Sequence, residues 1–428
     1  MAVDSPAKIA IIGAGPIGLE AALYARFLGY TVELYERGEV AENVRRWGHV
    51  RMFTPFRMNR STLGIAAIAA QDPNYQPPAE DAILTGSEWF DHYLHPLSQT
   101  DLLGDHLHIG TDVVSVARRE FCKTEFPGDE RRRDSEFRLL LDHKDGSETE
   151  ATAEVVIDTS GVFGNPNWMG QGGAPAQGER ALRTAIEYGV PDVLGRDRAR
   201  YAGQHTLVVG GGHSAATTIV ALAKLTEEET NTRLTWIVRP ASDQTAEAGP
   251  VTRISEDRLP ERAQLASRAN AVAAGDAVGI VFWAGTSLES IEQHEGVFQV
   301  KFQGLHEGRS QFDRIVANVG GRPDLRLFDE LQVHTCYASD GPINLATKLL
   351  NSTASDCLAQ TTHGPQTLIN TESDFYILGA KSYGRNASFL TSIGIQQVRE
   401  LFTIIGDRAN LDLYATATAL IPSQSPSG

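Results

Sequence analysis

The apolar and polar positions of this chain fall into two similar blocks. In the first, Lys8–Ile12 contains four consecutive apolar residues, the pattern of a strand buried on both faces of a parallel sheet. Gly13-Ala14-Gly15-Pro16-Ile17-Gly18 follows, and Leu19–Leu28 carries Leu and Ala at helical core spacing before Gly29 closes it. Thr31–Tyr35 predicts the next strand, which ends in Glu36. The second block repeats this plan: strand Thr206–Val209, turn Gly210-Gly211-Gly212-His213-Ser214-Ala215, helix Ala216–Leu225, a solvated acidic run, then strand Leu234–Val238 ending in Arg239. A repeat of about 200 residues means domain duplication rather than a solenoid.

Between and beyond the blocks, residues 47–64 are Arg-rich, aromatic and non-periodic, which predicts an ordered loop. His106–Val116 predicts a strand, and the charged run Phe121–Glu136 a hairpin tip. Ala153–Gly161 and Asp313–Asp324 each predict a strand running into a Gly turn. Phe375–Ala380 predicts a last buried strand, Asn386–Ile405 an amphipathic helix, and the tail from Ile421 a frayed end.

The chain has 428 residues, enough for two to three domains, and 38 basic against 54 acidic side chains give a net charge of −16. That balance argues against nucleic acid or an anionic membrane as the main partner. No run of apolar residues is long enough to span a bilayer, and the N-terminus lacks the features of a secretory signal. Cys122, Cys336 and Cys357 form no C-x-x-C pair, so a reduced, cytoplasmic chain is expected and dithiol redox chemistry is excluded. The scattered histidines predict no metal site.

The two glycine turns carry the chemistry. A G-x-G-x-x-G after a strand, opening a helix and followed by an acid, is a dinucleotide site. Gly13 makes the tight turn, Gly15 lets a pyrophosphate approach, and Gly18 lets helix and strand pack, with Pro16 and Ile17 between them. The helix N-terminus favours the phosphates, and Glu36, followed by Arg37, accepts from ribose hydroxyls. In the second turn, Gly210, Gly212 and Ala215 fit the G-x-G-x-x-A variant, with His213 and Ser214 inside it. Arg239 stands where an acid is expected, which favours the 2′-phosphate of NADPH. Two dinucleotide sites in one chain imply hydride transfer from a nicotinamide to a flavin, so FAD is assigned to the first turn and NADPH to the second.

GAGPIG followed by Glu36, then IDTSG, YAGQHTLVVGGGHSA with LTWIVR, ANVGGRPD and YILGA, resembles in its order the two-dinucleotide-binding flavoprotein superfamily, and most of all the class B flavin-containing monooxygenases. The resemblance implies an α/β fold with two Rossmann-like dinucleotide-binding domains, the NADPH domain inserted into the FAD domain. The expected boundaries are 1–165 and 326–428 for FAD and 166–325 for NADPH. It further implies that Thr159, Ser160 and Gly161 form the crossover turn, that Gly379 and Ala380 approach the ribityl chain, that Gly394 lies near the start of a helix aimed at the flavin pyrimidine, and that Val113 flanks the adenine. Gly48 is expected to line the cofactor. Two family patterns are replaced: Phe163–Trp168 has no His where the Baeyer–Villiger fingerprint requires one, and Thr159-Ser160-Gly161-Val162 stands for the N-hydroxylase A-T-G-Y.

The implied activity is an NADPH-consuming monooxygenase acting through a C4a-hydroperoxyflavin, with molecular oxygen and a small nucleophilic (N or S) or carbonyl substrate as partners. A dehydrogenase or reductase without oxygen insertion is the alternative, and a non-catalytic flavin sensor a third class. Asn59 is the candidate amide donor to the flavin and Arg51 the candidate electrostatic clamp, with Thr54 and Arg57 as secondary choices. His49 is a candidate proton donor. Lys381, Tyr383, Arg385 and Asn386 follow the last strand, and Arg385 in particular is expected to support anionic reduced flavin.

Overall fold

In the computed structural model of the chain, residues 3–239, 249–275, 277–351 and 357–420 are described; the tail from Ile421 lies outside them. The chain divides into two compact units, one of residues 1–45, 54–165 and 322–428, the other of residues 46–53 and 166–321. The short segment 46–53 therefore belongs to the second unit although its sequence neighbours belong to the first.

In chain order, the first unit opens with β1 (Lys8–Ile12), α1 (Pro16–Phe27) and β2 (Thr31–Glu36). Then come α2 (Thr62–Gln71), β3 (Leu107–Ile109), β4 (Thr111–Arg118), β5 (Phe137–His143), β6 (Glu148–Ala153) and β7 (Val155–Asp158). The second unit contains β8 (His205–Val209), α3 (His213–Glu228), β9 (Arg233–Ile237), α4 (Pro260–Ala274) and β10 (Ile280–Trp283). It is completed by β11 (Thr286–His294), β12 (Val297–Gly304), β13 (Gly308–Phe312) and β14 (Arg314–Ala317). The chain returns to the first unit with β15 (Phe375–Ile377), α5 (Thr391–Ile405) and α6 (Leu413–Leu420).

The first unit is built on a five-stranded parallel sheet in the order β15-β7-β1-β2-β3, the second on a four-stranded parallel sheet in the order β10-β9-β8-β14. Each unit adds a three-stranded antiparallel sheet, β4-β5-β6 or β11-β12-β13. This is the α/β architecture the two hydrophobic blocks predict. Central strands are buried on both faces, as in Ile9–Ile12 and Val155–Asp158, so their polar backbone is satisfied within the sheet. In the first unit Ile12, Tyr35, Val116, Phe137, Leu139 and Phe375 fill one core. In the second, Val208, Ile219, Leu222, Trp236 and Ala269 pack together, and Val209, Ile237, Val300 and Phe312 form a further cluster.

Three predicted elements differ in detail. The strand expected over His106–Val116 is two strands, because Gly110 turns the backbone with φ +67°. The helix expected from Asn386 starts at Thr391: Asn386 Oδ1 accepts from the Ser388 N–H, a local turn that competes with the helix. The loop 47–64 contains a helical start, since the Ser61 hydroxyl caps α2 by accepting from the Gly64 N–H.

The charged run Phe121–Glu136 connects the antiparallel strands β4 and β5, the hairpin tip expected of it, and it is tied down by buried charge. Arg132 and Arg118 are buried and both hold the Glu372 carboxylate, with contacts of 2.8 Å from each guanidinium. The Gln332 N–H adds a further bond at 2.9 Å. Burial pushes the Glu372 pKa up, but these bonds outweigh it and hold the carboxyl below its ordinary value. Its stabilisation is therefore present above the usual carboxylate range and is lost as the pH falls through the depressed folded-state pKa. Glu372→Gln leaves two buried guanidiniums without their anion and is expected to cost about 3–5 kcal/mol, read as a lower urea midpoint at neutral pH; an unchanged midpoint would show that the pair carries no stability.

Candidate functional site: two nucleotide turns

The first turn is formed where β1 feeds α1. Gly13 donates its N–H to Tyr35 O at 2.7 Å and has φ +97°, a conformation that favours glycine. A Cβ on Gly13 would lie 3.0 Å from Ser160 Cα, and one on Gly18 only 1.8 Å from Gly13 O. A Cβ on Gly15 would meet nothing within 4 Å. Thus Gly13 and Gly18 are needed for backbone packing, whereas Gly15 faces open space at the N-terminus of a 12-residue helix. Pro16 occupies the first helical turn, where its missing N–H is no loss.

Glu36, the last residue of β2, accepts from the Ala14 N–H through Oε2 and from the Gly38 N–H through Oε1, both at 2.9 Å. Each oxygen retains acceptor capacity, so the carboxylate is oriented by the turn and still able to bind hydroxyls. The Arg37 guanidinium lies against Gly164, where an added Cβ would be 2.1 Å from its Nη2. Thr159 Oγ1 lies 2.8 Å from Ile12 O and 2.9 Å from Gly13 O, joining the crossover turn to the glycine turn; Gly161 in that turn has φ +70° and open space at its Cβ position. Ile17 meets both late segments: a Cβ on Gly379 would touch it at 3.3 Å and one on Gly394 at 2.4 Å. The structure therefore brings together the turn 13–18, the crossover 159–161, Gly379–Ala380 and Gly394 within one unit. Val113 is buried in the core beside the β4–β5 register shift, so its side chain packs inward.

The second turn has the same construction. Gly210, with φ +139°, donates to Ile237 O at 3.1 Å, and its Cβ would lie 2.2 Å from Asn318 O. Gly212 is open like Gly15, His213 and Ser214 begin the 16-residue α3, and Ala215 is fully buried. The matching bonds, Gly13 to Tyr35 and Gly210 to Ile237, put Val238 in the place of Glu36 and Arg239 one residue beyond. Val238 Cγ1 is 3.2 Å from the Cβ position of Gly211, the counterpart of Ala14. Arg239 is thus not at the acid's own position, as its place at the end of the strand motif suggested; an apolar side chain stands there, and the exposed guanidinium follows it. Burial pushes the His213 imidazole below its ordinary pKa, with Arg262 adding to the shift and Asp257 opposing it, which favours its neutral form.

The candidate catalytic residues are placed differently from expectation. Asn59 is buried, and its amide nitrogen lies 2.8 Å from Thr54 Oγ1, 3.0 Å from Pro55 O and 3.2 Å from Thr54 O. Its two amide hydrogens are committed to its own loop. Arg57 pairs with Asp81. Gly48, His49 and Arg51 lie in the segment that belongs to the second unit, where Arg51 is exposed and 4.0 Å from Glu261. Burial pushes the His49 pKa down, with Asp192 opposing the shift, which disfavours it as a proton donor at neutral pH. Arg385 is held by Asp340 at 2.6 Å. Tyr383 and Lys381 are buried, and Lys381 pairs with Asp158 rather than facing open space. Sequence reasoning did not anticipate that pair; its only trace is an acid at the end of one strand motif and a lysine just after another.

No protein-family model matches the chain, and no curated protein matches it in sequence. Solved structures do. The bacillithiol disulfide reductase of Bacillus cereus superposes with a TM-score of 0.64 at 17% identity, covering 94% of this chain and 99% of that one. The FAD-bound cadaverine monooxygenase of the desferrioxamine pathway in Erwinia amylovora gives 0.60 at 14%, covering 95% of each. The Kutzneria ornithine N-hydroxylase, with reduced FAD, NADP+ and L-ornithine, gives 0.59 at 14%, covering 94% and 99%. The chain has the fold of the two-domain flavoprotein oxidoreductases. Among the described residues no helix is long and apolar enough to cross a membrane, and no group of His, Cys, Asp and Glu is placed to hold a metal.

The glycine geometry separates two substitutions. Gly18→Ala forces α1 away from β1 and is expected to cost about 1–3 kcal/mol by overpacking, seen as a lower thermal midpoint. Gly15→Ala has room for its methyl group and should leave the midpoint of the ligand-free protein within about 0.5 kcal/mol of wild type. Equal losses at the two positions would refute the division of roles.

Proposed function

We propose that the chain is a flavin-dependent oxidoreductase that binds FAD at the first turn and NADPH at the second, and that it acts as a monooxygenase on a small nucleophilic (N or S) or carbonyl substrate. The observation that carries this reading is the pairing of two turns of the same build but opposite charge. Both leave open space at the second glycine, over a helix N-terminus, for a pyrophosphate. One ends in a carboxylate oriented by the turn itself, suited to ribose hydroxyls. The other ends in Val238 and an exposed Arg239, which remove the repulsion of an acid and supply a cation for a 2′-phosphate.

When bound, FAD supplies the capacity to take a hydride from the nicotinamide and pass its electrons to oxygen or another acceptor. The chain's own contribution is positional. Glu36 holds the adenosine ribose, the N-terminus of α1 faces the phosphates, and Gly379 and Gly394 keep the late segments close to Ile17. The cysteines, exposed at Cys122, buried at Cys336 and partly buried at Cys357, offer no C-x-x-C dithiol, which favours oxygen or a small acceptor over a dithiol relay. They also fit a reducing, cytoplasmic setting. One observation favours the second reading, a reductase without oxygen insertion: the Asn59 amide is committed to its own loop and is not available to a reacting flavin.

Purified protein should carry a flavin spectrum that bleaches with NADPH without air. Its NADPH consumption and peroxide release should then be compared across a panel of amines, sulfides and ketones. Monooxygenation predicts a substrate for which peroxide falls well below the NADPH consumed, with an oxygenated product. Peroxide equal to NADPH for every compound, together with stimulation by added electron acceptors, would replace it by the reductase. Arg239→Ala should raise the KM for NADPH about 10- to 100-fold, the loss of a charge-assisted contact, and change that for NADH much less. Equal effects on the two coenzymes would remove Arg239 from the site.

A further inference from the structure

We infer that Asp158 and Lys381 form a clasp that assembles the first nucleotide site from its two chain segments, with Lys381 as a positioning residue. The inference rests on the reading of the first turn as the FAD site. The two residues are 223 positions apart, and their side chains are 0% and 1% exposed. Lys381 Nζ lies 2.6 Å from Asp158 Oδ2 and 3.0 Å from Ser160 Oγ. The Ser160 hydroxyl donates to Asp158 Oδ1 at 2.7 Å, and the Ser160 N–H donates to the same oxygen at 3.0 Å. The ring closes with both carboxylate oxygens occupied, and the Phe328 ring lies 5.3 Å from the ammonium.

Its place gives the clasp a meaning. Asp158 ends β7, and Lys381 lies in the helical turn Gly379–Tyr383 just after β15. These strands are neighbours, with Ile377 opposite Asp158 and the Leu378 N–H bonded to Asp158 O. Ser160 in turn abuts Gly13, since a Cβ there would be 3.0 Å from Ser160 Cα. From the other side Gln397 on α5 accepts from the Gly379 N–H at 2.9 Å and donates to Ser382 Oγ at 3.0 Å. The crossover turn, the Gly379 turn and the glycine turn are thereby set at fixed distances. A buried ion pair adds little net stability over an apolar pair of the same volume, whereas its directional bonds specify position. The clasp accordingly acts on where the segments stand more than on whether they fold.

Wild type, Lys381→Met, Asp158→Asn and the double variant should be stripped of flavin, titrated with FAD by fluorescence, and melted as apoproteins. Each single substitution leaves an uncompensated buried group and should lower both stability and FAD affinity. The double substitution removes both charges, so its melting temperature should return close to wild type. Its FAD affinity should remain about tenfold weaker, within the usual coupling of contacting residues, and the visible circular dichroism of its bound flavin should differ from wild type. A folded double variant that binds FAD as wild type does, with the same dichroism, overturns the inference while leaving the proposed function intact. A double variant that does not fold makes the pair a folding element and also overturns it. If wild-type apoprotein takes up no FAD, the inference and the proposed function fall together.

Discussion

The contact between the start of α1 and the end of β1 governs what the first unit can do. Gly18 stands so close to Gly13 O that a methyl group there would overlap it, and this proximity aims the first turn of the helix at the open space over Gly15. The unpaired N–H groups of a helix start are useful to an anion only if nothing else covers them. The same construction recurs at Gly210 and Gly212, where buried Ala215 takes the place of Gly18. One extra carbon is accommodated there, so the packing demand is strict in one copy and slightly relaxed in the other.

Two sets of buried charge in the first unit close on themselves. Glu372 is shared by Arg118 and Arg132, and Asp158 by Lys381 and Ser160. Both sets join stretches of chain more than two hundred residues apart. Because the chain leaves the first unit for residues 166–321 and then returns, its two halves need contacts that specify register as well as burial. Apolar packing alone tolerates sliding; a guanidinium or ammonium between fixed acceptors does not.

The chemistry follows from what each side chain has left to offer. Glu36 gives one lone pair per oxygen to backbone N–H groups and keeps the others, so it is both oriented and available. Asn59 is the opposite case: its amide hydrogens are consumed within residues 54–59, and the residue shapes a loop instead of serving a reaction. His49 and His213 are both shifted towards the neutral form by burial.

The sequence by itself determined the parallel sheets and the two turns, because they depend on local rules: consecutive apolar residues for a strand, glycines where a Cβ would collide, an acid or a base at the strand end. It also supplied the order of the late segments Gly379 and Gly394. What only the tertiary structure decided is the fate of polar side chains in loops. Arg132, Lys381 and Asn59 read as surface or active-site groups in a polar stretch, yet each is buried by partners that local pattern cannot reveal: Glu372 and Asp158 are far away in the chain, and the bonds of Asn59 depend on the fold of its own loop. The position of Arg239 is a smaller instance, since its place at the end of the strand motif put it where the acid belongs, while the strand-end hydrogen bond of Gly210 to Ile237 puts Val238 there. Periodicity reports which face of an element is apolar; the partner of a buried charge is set by the path of the chain in space.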